Sequence, residues 1–212
     1  DADYGYYYAA NRAVMPLADG TQTHSIRVTA VIFPTGRSIP APGSFHYYLL
    51  EVPQDDENTA TYMICHGLER ADHDAVVEIM GLHDRRFWNE EDCVFRATWA
   101  EHMWQDRARM DAGRSFAGFS GIEQEDMVLA LSMGPIVDRS KEHLVPADRA
   151  VVHLRRRLLE SVRRVEAGGD PIGISITDYS KVAPLIDTTL PTSARWQDLL
   201  PHNAVQAEIA AE

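Results

Sequence analysis

Residues 148–169, DRAVVHLRRRLLESVRRVEAGG, carry the clearest structural signal in the chain. Val151, Val152, Leu154, Leu158, Leu159, Val162 and Val165 recur at helical spacing and form a broad apolar stripe, with basic residues between them. Asp148 stands where an N-cap belongs, Gly168-Gly169 supplies the stop, and Pro171 follows it. Roughly twenty residues at 1.5 Å each make a helix of about 30 Å, long enough to cross a whole sheet. Leu158 and Leu159 are expected to be buried against that sheet.

Upstream, the apolar pattern alternates instead. Tyr4, Tyr6 and Tyr8 alternate with Gly5, Tyr7 and Ala9, and HSIRVTAVIFP sets Ile26, Val28, Ala30 and Ile32 on one face. FHYYLLEV and TATYMICHG read as two further strands. Pro34, Gly36, Pro40, Pro42 and Gly43 read as a turn, as does VPQDDENT, whose Asp55 and Asp56 suit a strand connection better than a metal site. Successive strands with short turns predict an antiparallel meander. After Gly67 a short helix is expected over DHDAVVEIMGL, capped by Asp72 or Asp74. The stretch 89–114 is polar and fits helix or loop, and Ile122 to Ser132 reads as a helix broken by Gly134-Pro135. The tail after Pro191 reads as irregular or weakly helical. The expected fold is α+β: one domain over 1–212, with an antiparallel sheet against a long C-terminal helix in a helix-grip arrangement and a cavity between them.

The 212 residues are 45% hydrophobic and 25% charged, the composition of an ordinary globular protein. A formal net charge of −12 opposes binding to nucleic acid, and Arg155 to Arg157 read as a solvated helix face. No apolar run reaches membrane-spanning length, and no secretory signal opens the chain. Cys65 and Cys93 lie far apart and form no disulfide framework or C-x-x-C motif, which fits a reducing cytoplasm. Strand periodicity starts almost at Asp1, so the chain is expected to be part of a longer protein.

Residues 115–159, SFAGFSGIEQEDMVLALSMGPIVDRSKEHLVPADRAVVHLRRRLL, hold the chemistry-bearing candidates. Judged by residue type alone, Asp126 is a cap or a surface charge. Asp138-Arg139 reads as a pair fixing its loop, and Asp106-Arg107 as another. His66, His73 and His83 are spaced seven and ten apart, not at the i, i+4 interval of a helical ligand pair, and His143 and His153 stand alone.

Six segments, in order, resemble one family: DYGYYYAANR, RVTAVIFP, VPQDDENT, QDRARM, SFAGFSGI and SMGPIVDRSKEHL. Together they resemble the catalytic domain of Rieske-type non-haem iron oxygenases, in the phthalate 4,5-dioxygenase and vanillate O-demethylase branch. The resemblance implies a helix-grip fold and makes Asp126 the carboxylate ligand of a mononuclear Fe(II), the third member of a two-histidine, one-carboxylate set. Relatives commonly have Gln-Asp where this chain has Glu125-Asp126, and several have a basic residue where Tyr7 stands. The family's iron histidines and the C-x-H and C-x-x-H elements of its Rieske [2Fe–2S] cluster are not found in these 212 residues. The implied protein hydroxylates, dihydroxylates or O-demethylates an aromatic substrate with O2. A reductase or ferredoxin supplies its electrons, and it assembles as a homotrimer or stacked trimers. Two other readings stay open: a helix-grip module holding an apolar ligand without iron, and a structural subunit of such an assembly.

Overall fold

The computed structural model describes residues 1–14, 16–40, 46–66, 70–89, 91–180, 182 and 186–200. It is a mixed α+β structure that divides into two compact units, one formed by residues 1–67 and 143–212 and the other by residues 68–142.

The first unit is built on an open antiparallel sheet. Strands β1 (Gly5–Ala13), β2 (Thr23–Ile32), β3 (Gly36–Pro40), β4 (His46–Pro53) and β5 (Thr59–His66) follow one another as a meander. β3 lies where the sequence reads as a turn. Its glycine is there for close approach: a Cβ at Gly36 would run into the Tyr48 hydroxyl and sit 2.6 Å from Tyr48 Cζ. A sixth strand after the long helix, not foreseen from the sequence, pairs with β2 from Thr23↔Pro191 to Val28↔Ile186, while β3 takes Ala30 to Ile32.

β2 is therefore paired along both edges, and it is covered on both faces. Ile26 and Val28 gather with Leu200, Tyr7, Ala9 and Trp196 on one face. Val31, with Tyr6, Tyr8, Phe33 and Ile172, forms a cluster on the other. The alternation of Tyr6 and Tyr8 against Tyr7 and Ala9 is the pleat expected of β1. Asp55 organises the β4–β5 turn by accepting from the backbone N–H groups of Glu57 and Asn58 at 2.8 and 2.7 Å. These bonds favour its ionised form and hold its carboxyl below the usual range.

The long helix, α4 (Arg149–Glu166), packs on the Tyr6 face. Leu154 and Leu158 touch the Tyr6–Val31–Phe33–Ile172 cluster. The Tyr6 hydroxyl donates to the Ala150 carbonyl at 2.9 Å, its ring meets His153 edge-on at 4.6 Å, and the Arg157 guanidinium lies 5.7 Å over the Phe33 ring. The Ile172 N–H donates to Ser161 Oγ at 3.0 Å and ties the returning chain to the helix. Asp148 does not cap α4 with its side chain; its carboxylate instead accepts from the Val145 N–H at 2.8 Å and closes the preceding 3-10 turn. The last strand, β6 (Ile186–Pro191), completes the sheet.

The apolar stripe is wider than the surface the sheet offers it. Leu159 is 56% exposed, and Val151, Val152, Val162 and Val165 are exposed with it, so the expected burial of Leu159 does not hold. Leu158→Ala is expected to cost about 2 kcal/mol, the low end for a leucine with partners. Leu159→Ala should stay within about 0.5 kcal/mol, as for an exposed position. Urea unfolding of the two variants separates these outcomes.

The second unit contains α1 (Arg70–Met80), α2 (Arg107–Asp111) and α3 (Ile122–Ser132). Asp72 and Asp74 lie inside α1 rather than at its cap. The stretch that reads as polar, 89–114, supplies part of an aromatic core. Phe87, Ala97, Met103 and Phe119 are buried together, with Trp88, Phe95 and Trp104 against them. Phe87 packs edge-on to Trp104 at 5.3 Å and to Phe119 at 6.1 Å. These aromatics are too widely spaced for either the helical or the strand period, which is why pattern reading passes over them. Among the described residues, no helix is long and apolar enough to cross a membrane.

Candidate functional site

Asp126 lies on α3, in the second unit. The start of this helix is held by close contact rather than by a capping side chain. Its N-cap is Gly121, which has no side chain to offer. Gln124 is fully buried and does that work instead. Its Oε1 accepts from the Ser120 N–H at 3.2 Å, and its Nε2 donates to the Gly81 carbonyl at 3.0 Å, just past the end of α1. An amide reaching back over the first turn is a variant of the capping box.

The backbones also touch. Gly81 has φ +76, and a Cβ there would stand 2.8 Å from both Gln124 Nε2 and Gly121 Cα. A Cβ on Gly121 would run into the Gly81 backbone and sit 2.6 Å from Met80 C. Glu123 is buried beside Gln124. Two consecutive buried polar residues at a helix start were not foreseen from the sequence; the signal was the pair of glycines, one ending α1 and one opening α3.

The opposite side of α3 is open. Ile122, Asp126, Leu129 and Met133 recur at i, i+4, i+7 and i+11 and share one face. Ile122, Leu129 and Met133 are exposed at 47%, 65% and 55%, and Asp126 is exposed among them. The Asp126 carboxylate makes no hydrogen bond or ion pair with the described residues. An apolar stripe interrupted by one unpaired carboxylate is a poor solvent-facing surface, since solvated helix faces are normally rich in charge.

Among the described residues no histidine pairs with Asp126. His83 Nδ1 lies 3.2 Å from Glu78, and His153 Nε2 lies 2.7 Å from Asp1. His73 and His143 are exposed, and the side chain of His66 falls outside the described residues. Among the described residues, no group of three histidine, cysteine, aspartate or glutamate side chains could hold a metal ion. Asp126 is thus an exposed carboxylate standing alone, and the nitrogen pair that a two-histidine, one-carboxylate iron set needs is not found beside it among the described residues.

The two Asp-Arg pairs resolve differently from the sequence expectation. Asp138 accepts from the Ser140 N–H and hydroxyl at 3.1 and 2.6 Å and pairs with Lys141 at 3.1 Å, while Arg139 turns to Glu142 at 3.2 Å. The Ser140 hydroxyl, then Lys141, holds the Asp138 carboxyl below its usual range. Asp106 caps α2 by accepting from the Arg109 N–H at 2.9 Å. Both aspartates are caps, because an Asp before a helical turn finds free backbone N–H groups nearer than its neighbour's guanidinium. Tyr7, on the face of the sheet opposite α4, has its hydroxyl hydrogen-bonded to that of Tyr4.

Comparison with known proteins agrees with the motif reading. The family described as LigXa C-terminal domain like matches residues 1–211. The chain is 31% identical over 177 residues to the phthalate 4,5-dioxygenase oxygenase subunit of Pseudomonas putida, an alignment covering 80% of this chain and 38% of that protein. It is 42% identical over 93 residues to the 3-chlorobenzoate-3,4-dioxygenase oxygenase subunit of Comamonas testosteroni, covering 43% of this chain and 22% of that protein. The chain thus spans well under half the length of either relative.

Proposed function

We propose that the chain, which belongs to the LigXa C-terminal domain-like family, is the catalytic-domain portion of a Rieske-type oxygenase acting on an aromatic substrate. The observation that carries this reading is the family match over residues 1–211; Asp126, the residue the resemblance assigns to iron, stands exposed on α3 rather than turned away from bulk solvent as that assignment leads one to expect. The motif resemblance puts Asp126 at the family's iron-binding aspartate, and both relatives bear the names of aromatic-ring dioxygenases.

In this reading residues 1–212 form one catalytic-type domain of helix-grip fold. Asp126 supplies the carboxylate to a mononuclear Fe(II), with the two histidines and the Rieske [2Fe–2S] cluster contributed from outside these residues. The bound metals supply the oxygen and electron-transfer chemistry. The chain's own share would be one hard oxygen donor and a helix frame that fixes its direction. Electrons come from a reductase or ferredoxin, the assembly is a homotrimer or stacked trimers, and the site of action is the cytoplasm. The names of the relatives support a ring carrying a carboxylate as the substrate, hydroxylated or dihydroxylated, with O-demethylation as the branch variant, while Tyr7, where several relatives have a basic residue, weighs against a phthalate-like dianion.

A second reading is a binding module or structural subunit that holds an apolar ligand without iron, and the exposed Ile122, Leu129 and Met133 on α3 suit it. The two separate on one measurement. The full-length gene product, purified with its reductase, is expected to hold iron and to consume O2 in step with hydroxylation of phthalate or 3-chlorobenzoate. The 212 residues expressed alone should hold no stoichiometric iron. A full-length protein that binds the aromatic acid but carries no mononuclear iron sinks the oxygenase reading in favour of the module.

A further inference from the structure

We propose that the outer face of α4 is a contact between copies of this chain, and that it receives α1 of a second copy. The inference rests on the reading of the protein as a homo-oligomer and names the surfaces that build it. It makes no use of a metal or of Asp126.

α4 turns Leu154 and Leu158 to the Tyr6–Val31–Phe33–Ile172 cluster and leaves its other side open. Val152 and Leu159, seven residues apart, lie exposed on that open side, and Arg156 and Arg163 form a parallel row beside them. Arg156 and Arg163 are exposed, and neither has a hydrogen-bond or ion-pair partner among the described residues. An exposed apolar row edged by arginine is the composition of a protein contact.

The charge says what covers it. α4 holds six arginines and two glutamates in a chain of net charge −12, so the rest of each copy is more acidic still. A second α4 is the wrong partner, because it would set these arginines against their own kind. α1 has the complementary face. Its Val76 and Met80 are buried, and Asp74 and Glu78, at i and i+4, line the side away from them. Beside those carboxylates lie exposed Ala75 and Ile79, with Leu82 exposed just past the helix end. Ile79 is 56% exposed, the same as Leu159. Asp74 meets only His73, at 3.5 Å, and Glu78 only His83, at 3.2 Å, so among the described residues no arginine or lysine neutralises either. Seating α1 on α4 therefore covers two exposed apolar rows and pairs two carboxylates with two guanidinium groups. The contact uses two different surfaces of one chain. Such a heterologous contact repeats from copy to copy and can close into a ring, as a trimer requires.

Sedimentation velocity of the full-length protein over a range of concentrations tests this, at low salt, where exposed charges act most strongly. Arg156→Glu with Arg163→Glu is expected to weaken assembly at least about tenfold, since like charges brought together across a contact are strongly disfavoured. Asp74→Lys with Glu78→Lys should do the same. All four substitutions together should restore the parent's assembly, because the charges are then exchanged rather than opposed. The four positions are exposed, so the variants should fold, as circular dichroism will show. A pair that does not fold is replaced by its neutral counterpart, Arg156→Gln with Arg163→Gln or Asp74→Asn with Glu78→Gln, which should weaken assembly in the same direction. A parent that sediments as a monomer throughout sinks the homo-oligomer and this contact together. An assembly that neither pair weakens leaves the homo-oligomer standing and overturns the contact. Weakening by each pair without recovery in the fourfold variant overturns α1 as the occupant.

Discussion

Asp126→Ala in the full-length protein is expected to remove most of its mononuclear iron and abolish product formation, while the Rieske absorption stays. Changes to groups that merely orient a metal ligand cost ~10–100-fold in affinity or activity, so loss of the ligand itself should cost at least that much. The structure makes the experiment clean. Asp126 is exposed and its carboxylate has no partner among the described residues, so its removal should change stability by no more than about 0.5 kcal/mol. A loss of iron then cannot be blamed on unfolding. Glu125→Ala should be milder, because a step of one residue turns the side chain by about 100°. Iron content and turnover of the two variants decide the matter. Iron lost from Glu125→Ala and kept by Asp126→Ala would mean that the residue correspondence is off by one. Iron kept in both would return Asp126 to an ordinary surface charge.

What was legible in the sequence was whatever repeats. Four of the strands and the three longer helices announce themselves by period, and β1 and α4 stand where their alternation and stripe put them. Two short strands escaped for opposite reasons. GRSIP in β3 is bounded by turn-like residues, yet its glycine makes room for Tyr48. IDTTLP in β6 has a weak pattern because only alternate residues meet the cluster beneath β2. The width of the α4 stripe was legible, but not which half of it the sheet covers. The candidate ligand was found by family motif and not by chemistry. Residue type alone makes Asp126 a surface charge, and its lack of a salt bridge emerges only in three dimensions. Gln124 was invisible for the same reason, since burial of an amide depends on two glycines 40 residues apart, at 81 and 121.

Tyr6→Ala should be the most damaging single truncation in the sheet unit. Tyr6 is 4% exposed and joins three things: the sheet through β1, the helix through its hydroxyl bond to Ala150 at 2.9 Å, and the aromatic contacts to Phe33 and His153. Cutting a buried aromatic to alanine costs about 3–5 kcal/mol. Whole domains carry only about 5–15 kcal/mol, so the variant should unfold near ambient temperature or at far lower urea. Tyr6→Phe keeps the ring and loses only the hydroxyl bond, about 0.5–1.5 kcal/mol. The two also differ in alkaline behaviour. Burial, and then the charge of Tyr8, pushes the Tyr6 phenol up to about 12. In the unfolded chain it titrates near its ordinary value of about 10. The folded state therefore holds the proton more tightly. Its contribution to stability is complete below about pH 10 and is lost as the pH rises through about 12. Tyr6→Phe should flatten that loss, leaving the smaller part that belongs to Tyr48, which burial also raises. Urea midpoints at about pH 8 and about pH 11 for the parent and Tyr6→Phe test this. Equal alkaline losses in the two proteins would show that the Tyr6 hydroxyl is not held against α4.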